Sequence, residues 1–389
     1  MPAMMSTPVA HEEDAVTSDS PREFMQEIPK LPSPADLAAP TNSETDLDVQ
    51  APGPLRVVEA VRRIDEMAPL AGYQREMVAV VGRLLADGVD VLQVAQVVAG
   101  VNDALTTRLL HLAEAELGRP PCDYAWLALG SHGRGEQVLS SDQDSALAFD
   151  DRVQATEAGY FPRLAGLVVP ALASAGLPLC DGGYMATKWC HPISEYRSLF
   201  GAWVEQPRPD ALLKAEVFLD VRPVHGDLCV DVLDRILVGG GSSGRFLAQM
   251  ARTAVMFSPP LGLFGRLRAR SSTIDVKRGG IAAIVLLARL YGLAAGSTAR
   301  TTVARLQAAE TSGTLSGVGA GDLLEAYRFL TELRVRHQVA QVGASVAPDN
   351  LIRLDELSAE DRGRVQDGLR VVRDVQRVTA MRFATHTVT

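Results

Sequence analysis

Three stretches follow one another without a gap: Tyr124-Ala-Trp-Leu-Ala-Leu129, then Gly130-Ser-His-Gly-Arg-Gly-Glu-Gln-Val-Leu-Ser-Ser-Asp142-Gln-Asp144, then Ser145-Ala-Leu-Ala-Phe149. The first and last are short apolar runs bounded by glycine or aspartate, the pattern of buried strands. Between them, a glycine and a serine directly after a strand let backbone N–H groups and a hydroxyl approach a phosphate that a bulky side chain would keep away. Asp142 and Asp144 stand two apart where the next strand begins. Side chains alternate along a strand, so both carboxylates point to one face. Two hard oxygen ligands of that kind suit magnesium, which shares its shell between one or two carboxylates and substrate phosphates. The segment reads as a triphosphate cradle joined to a metal site, with magnesium expected and manganese as its substitute.

Outward from this centre the chain is helical. Val57, Val58, Val61, Ile64 and Met67 recur at helical spacing, as do Val78, Val81, Leu84 and Leu85. A longer helix is expected from about Val91 to Leu117, with Val94, Val98, Val101, Leu105, Leu109 and Leu112 on one side and Gly118 and Pro120 ending it. After the second strand, a helix near Tyr160 to Ala175 is expected to bend or break at Pro170. Third and fourth strands are expected at Cys180-Asp-Gly-Gly-Tyr-Met-Ala186 and at Ala215 to Val221. Beyond Gly226 everything reads as helix, including Ile281 to Leu293, the face of Leu323, Leu324, Tyr327, Leu330 and Leu333, and a last helix capped by Ser358. Gly239-Gly-Gly-Ser-Ser-Gly244 is followed by no Gly-Lys-Ser/Thr and reads as a flexible linker, not a P-loop.

The expected fold class is therefore α+β: a small mixed sheet between a helical N-terminal module and an all-helical C-terminal domain. The divisions expected are 1–53, an acidic, proline-rich disordered tail; 54–119, the helical module; 120–228, the sheet domain; and 229–389, the helical domain.

Composition narrows the function. A formal net charge of -9 over 389 residues argues against a protein that coats nucleic acid. Cys122, Cys180, Cys190 and Cys229 show neither zinc-ligand spacing nor a disulfide framework, which fits a reducing cytoplasm. No run approaches the ~18 apolar residues of a membrane span, and the N-terminus lacks the pattern of a signal peptide.

The stretch GSHGRGEQVLSSDQD resembles the glycine-serine, spacer, DxD signature of the DNA polymerase beta-like nucleotidyltransferases, and more narrowly their GlnD-like group. Its best-known member is the PII uridylyltransferase, and a related set often carries CBS or cyclic-nucleotide-binding domains, which are not evident here. Further stretches fit that second set: Cys180 to Ala186, Phe218-Leu-Asp220-Val-Arg222-Pro-Val-His-Gly226-Asp227, Asp275-Val-Lys277-Arg-Gly-Gly280, and Leu333 through His337-Gln338. The similarity spans roughly residues 90 to 385, in order.

The resemblance implies transfer of a nucleoside monophosphate from a nucleoside triphosphate, UTP or ATP, to a hydroxyl acceptor such as a tyrosine of a PII-type signalling protein. Asp142 and Asp144 would hold the metal, Gly130 and Ser131 the phosphates. Arg134 would reach a phosphate or pair with Glu136, and Lys277 would carry positive charge over the nucleotide or merely begin a helix. A third carboxylate is implied on a later strand. Asp220 is the first candidate and Asp181 the second, with a buried salt bridge from Asp220 to Arg222 as the structural alternative. His132 is not expected to be catalytic, because phosphoryl chemistry depends on metals and positioning. Two other functions use the same residues: a catalytically silent nucleotide-binding regulatory module, and a phosphohydrolase.

Overall fold

The computed structural model describes residues 54–262 apart from 68, 69 and 71, then 266, 267 and 273–385. The expected tail, 1–53, lies outside the described residues. Three helices open the fold, α1 (Pro54–Arg62), α2 (Tyr73–Ala86) and α3 (Val91–Leu117). The ends of α3 follow from local chemistry. The Asp90 carboxylate accepts from the Leu92 amide, satisfying a free donor of the first turn, and Gly118 ends the helix at φ +87°. Its buried stripe, Val94, Val98, Val101, Leu105 and Leu109, is the expected one.

The sheet has four strands in the order β3-β2-β1-β4: β1 (Tyr124–Ala128), β2 (Ser145–Phe149), β3 (Cys190–Pro192) and β4 (Arg222–His225). β1 pairs antiparallel with β2 and β4, and β2 pairs parallel with β3, so the sheet is mixed. The two central strands are buried at every residue, which is why they read as continuous apolar runs. Between β1 and β2 lies the short helical turn α4 (Gly130–Gly133). Helix α5 (Tyr160–Ser174) follows β2, α6 (Ile193–Glu205) and α7 (Pro209–Ala215) follow β3, and a 3-10 turn, Phe218–Asp220, precedes β4.

Beyond β4 come α8 (Asp231–Gly240), α9 (Gly244–Met256), β5 (Thr273–Asp275), a π-helical turn at Lys277–Ile281, α10 (Ala282–Ala294), α11 (Thr302–Thr311), α12 (Gly317–Gly343), β6 (Leu351–Arg353) and α13 (Ala359–Arg382). Ser358 caps α13, its side chain accepting from the Asp361 amide. The molecule is thus α+β. No described helix is long and apolar enough to cross a membrane.

One core runs through α1–α3, the sheet, α5–α9 and onward to Leu290, Leu293 and Val335. A second fills the C-terminal helices around Ile284, Leu287, Tyr291, Leu323, Leu330 and Leu369. Helix α10 is apolar on almost every side because it belongs to both cores.

Several expectations are corrected. The segment Cys180–Ala186 is turned, not extended. Gly183 sits at φ +73° and its amide donates to the Cys180 carbonyl, so this stretch flanks β2 irregularly while the strand itself forms at Cys190–Pro192. Ala215–Val221 holds the end of α7 and the 3-10 turn, and the strand begins one residue later, at Arg222. A short apolar run buried on all sides carries no period that separates strand from tight helix. Pro170 lies inside a continuous α5, whose buried Leu164, Val168, Val169 and Leu172 hold the helix through the lost hydrogen bond. The C-terminal half is not all helix, since β5 and β6 form an antiparallel ribbon.

The glycine run 239–244 is not a flexible linker either. Gly239 and Gly240 end α8, Ser243 caps α9, and a Cβ on Gly241 would lie 2.2 Å from the Leu293 carbonyl oxygen. Gly240 and Gly241 are there for close approach.

Candidate functional site

Backbone geometry forces the glycines of the cradle. Leaving β1 through extended Leu129, the chain turns at Gly130 with φ +52°, and the Gly130 amide donates to the Val217 carbonyl at 3.0 Å. A Cβ there would stand 2.7 Å from Asp144 Oδ2. At Gly133 a Cβ would fall 1.9 Å from the Asp220 carbonyl oxygen. Gly133→Ala is therefore expected to cost at least the ~1–3 kcal/mol of overpacking and to displace the loop. A urea midpoint within error of the wild type would show that the loop has room to shift.

The loop is braced from behind. His132 is buried and meets Asp103 on α3 at 2.7 Å, and Arg222 of β4 donates to both Asp103 oxygens at 2.9 and 3.0 Å. Arg222 also reaches the carbonyls of His132 and Gly133. Burial works against the charge on Asp103, yet hydrogen bonds from His132 and Arg222 hold its carboxyl below the ordinary range. His132 thus fastens the cradle.

On the open side, Asp142 and Asp144 flank Gln143. Gln143 turns the other way and donates to the Val169 and Leu177 carbonyls at 3.2 Å. The alternation expected for an extended segment is observed. Ligand atoms of Asp142, Asp144 and Cys180 all lie within 4.8 Å of one another. Asp144 Oδ1 is buried and has no hydrogen-bond partner. Burial, then the charge of Asp142, pushes the Asp144 carboxyl up to about 8, while the Cys180 thiol, Lys277 and Arg134 pull the other way. An orphaned buried oxygen beside a second carboxylate is a donor set that a divalent cation would complete, so the residues fit such an ion. The thiol stays protonated, because burial and both aspartates raise its pKa.

Lys277 opens the π-helical turn, a rare form frequent at functional sites. Its field reaches Asp144. A Cβ on Gly280 would meet Leu330 at 2.6 Å, which explains the glycine.

Arg134 does not project freely. Its Nε donates to Glu136 at 2.6 Å, and its Nη1 pairs with Asp220. Glu136 in turn accepts from the Thr302 amide at 2.5 Å and hydroxyl at 3.0 Å. Asp220 sits on the 3-10 turn and is fully buried. It faces Arg289 at 2.7 Å, Arg305 at 2.5 Å and Arg134. Despite complete burial, the arginines, Arg289 foremost, hold its carboxyl far below the usual range. The alternative of a bridge to Arg222 is not found, since Arg222 pairs with Asp103. The turn is positioned by Phe218, whose ring packs against Trp189 and Trp203 at centroid distances of 4.5 and 5.6 Å. Asp181, the second candidate, is exposed on the Cys180–Ala186 turn.

Several residues near the site were missed by reading the sequence. Helix α12 closes over the loop before Asp142: Arg334 and Gln338 donate to Ser140 Oγ at 3.2 and 2.6 Å, and both reach Asn350. Burial lowers the Arg334 pKa to about 10 even with Asp275, Tyr327 and Asp142 opposing. Glu216, beside the Val217 that anchors Gly130, has a carboxyl raised to about 7 by burial. Polar residues on apolar helices carry no periodic signal; only the resemblance of the stretch Leu333 through His337-Gln338, which holds Arg334 and Gln338, pointed here.

Two family models match the chain. Residues 75–210 match a family described as putative nucleotidyltransferase DUF294, and residues 244–383 match a putative nucleotidyltransferase substrate binding domain. The cradle and the aspartate pair fall within the first match, Lys277, Arg334 and Gln338 within the second, and Asp220 between them. A search of curated proteins gave no match.

Proposed function

The chain belongs to the putative nucleotidyltransferase family DUF294, and on that premise we propose that it moves a nucleoside monophosphate from a nucleoside triphosphate, UTP or ATP, to a hydroxyl acceptor. The observation that carries the reading is the convergence of Asp142 and Asp144 beside Gly130, with Asp144 Oδ1 buried and unpartnered.

In this reading Asp142 and Asp144 hold magnesium or manganese, which supplies charge neutralisation at the phosphates when bound. The chain's own residues do the rest. Gly130 and Ser131 bring the backbone and a hydroxyl against the phosphates. Lys277 places a positive charge beside Asp144, where charge develops as pyrophosphate leaves. Arg134 acts through its pairs with Glu136 and Asp220 to hold the loop. Asp220, expected in the sequence as the third carboxylate, is enclosed by arginines, and we assign it the role of fixing Arg134. Glu216 adjoins the Val217 that anchors Gly130, its pKa of about 7 is matched to proton exchange at neutral pH, and we assign it the acceptor's proton. A PII-type signalling protein is our proposed acceptor, on the resemblance alone.

The alternative, a silent nucleotide-binding module, takes support from that same enclosure of Asp220, which leaves the pair Asp142 and Asp144 without it. Release of pyrophosphate from labelled nucleoside triphosphates with a cell lysate, together with a labelled acceptor, tests transfer. Inorganic phosphate in its place would mean hydrolysis, and binding without turnover the silent module.

A pH series gives an independent check. Because the Asp144 pKa of about 8 lies above the ~3.9 of an unfolded aspartate, the folded apoprotein keeps a proton that the unfolded chain has lost. Apoprotein stability attributable to this group therefore falls as pH rises between those values. Magnesium-nucleotide must displace that proton, so its thermal stabilisation is expected to grow with pH and level off above about 8. A stabilisation constant across that range, as in Asp144→Asn, would refute it.

A further inference from the structure

Helix α3 meets the sheet at two places. At one, Asp103 braces the cradle through His132 and Arg222. The other lies eleven residues further along α3, about 16 Å at the helical rise, where the chain presents His111 and Glu114 opposite His225, the last residue of β4. His111 and Glu114 are three residues apart and so share a helix face. Ligand atoms of the three residues all lie within 4.8 Å of one another. His225 Nε2 stands 3.5 Å from Glu114 Oε1. The two imidazoles meet edge to face with centroids 4.8 Å apart.

These distances can be set against what an ion requires. With bonds of about 2.1 Å, tetrahedral coordination separates neighbouring ligand atoms by about 3.4 Å, so the His225–Glu114 edge already has that length. His111 is exposed, and its side chain can rotate to close the third position while solvent supplies a fourth. The carboxylate is oriented from outside: the Tyr124 hydroxyl donates to Glu114 Oε1 at 2.5 Å, the outer-shell contact that metal-bound carboxylates typically carry.

We propose that His111, Glu114 and His225 form a second metal site, separate from the aspartate pair, that takes zinc or a chemically similar transition ion and ties α3 to the edge strand β4. Its ligand set differs in kind from the first. Two imidazoles and one carboxylate select a borderline transition ion, whereas paired carboxylates suit magnesium or manganese. The bound ion clamps the helix that also carries Asp103, so it stiffens the support of the cradle without touching a reacting atom.

Cobalt(II), a spectroscopic stand-in for zinc, is titrated into the full chain carrying Asp142→Asn and Asp144→Asn, so that the acidic pair is silenced. One equivalent is expected to bind with the visible ligand-field bands of a four- or five-coordinate imidazole site. His111→Ala in that background, which changes an exposed residue, is expected to weaken binding about tenfold or more and to remove both the bands and the zinc-dependent rise in melting temperature. His225→Ala is expected to do the same. With both aspartates intact, His111→Ala is expected to leave magnesium-dependent turnover in place. Absence of cobalt binding, or bands and stoichiometry unchanged by His111→Ala, would overturn the site.

Discussion

Asp142→Asn and Asp144→Asn are each expected to abolish nucleotidyl transfer while leaving the chain folded. Each substitution keeps the side-chain volume and removes a negative ligand atom. The loss should exceed the ~10–100-fold that changes outside a metal's own ligands cost. Burial first, and then the charge of Asp142, makes the ionised Asp144 carboxylate unfavourable in the apoprotein, which is why its pKa is raised. Neutralising Asp144 should therefore raise the apoprotein melting temperature. Ligand then reverses the order. At a concentration 100-fold above its dissociation constant, magnesium-nucleotide adds about 2.7 kcal/mol to the wild type, and the variants should gain almost none of it. The measurement is a thermal-shift titration with magnesium and several nucleoside triphosphates on all three proteins. Equal stabilisation in the three would remove the metal site and the main reason for regarding the chain as an enzyme.

The loop between β1 and β2 was legible because its pattern is local. Gly130, Ser131, Asp142 and Asp144 lie within fifteen residues, the strands on either side are short apolar runs, and alternation alone places both aspartates on one face. The long amphipathic helix α3 was legible for a similar reason: its cap, stripe and terminating glycine are all near one another in sequence. What failed depended on distant partners. Cys180–Ala186 turns at Gly183, which stands at φ +73°, and Cys180 lies beside Asp142 and Asp144, partners about forty residues away in sequence. Gly240 and Gly241 permit close packing against Val204, Phe246 and Leu293, and no local pattern distinguishes that from a linker. The role of Asp220 depended on Arg289 and Arg305, which lie 69 and 85 residues away in buried helical faces. In the sequence, Arg222 is simply nearer.

Asp220→Asn is expected to destabilise the chain by about 3–5 kcal/mol, because removing one member of a buried ionic cluster leaves its partners charged and uncompensated. Arg134, Arg289 and Arg305 would face a neutral amide that cannot accept from all of them, and Arg289 Nη1 already lacks a partner. The pH dependence has a definite sign. The folded-state pKa of Asp220 lies far below the ~3.9 of an unfolded aspartate, so its contribution is present above that value and is lost as pH falls towards the folded-state value. Acidification below about pH 4 should thus narrow the gap between wild type and variant, which urea midpoints at several pH values would reveal. The same variant separates two roles for this carboxylate. If Asp220 fixes the loop through Arg134, the folded fraction of Asp220→Asn at low temperature should still be stabilised by magnesium-nucleotide, unlike Asp142→Asn. A variant that folds with near wild-type stability yet shows no magnesium-nucleotide stabilisation would instead make Asp220 a ligand of the reacting centre, and the arginines around it would need another explanation.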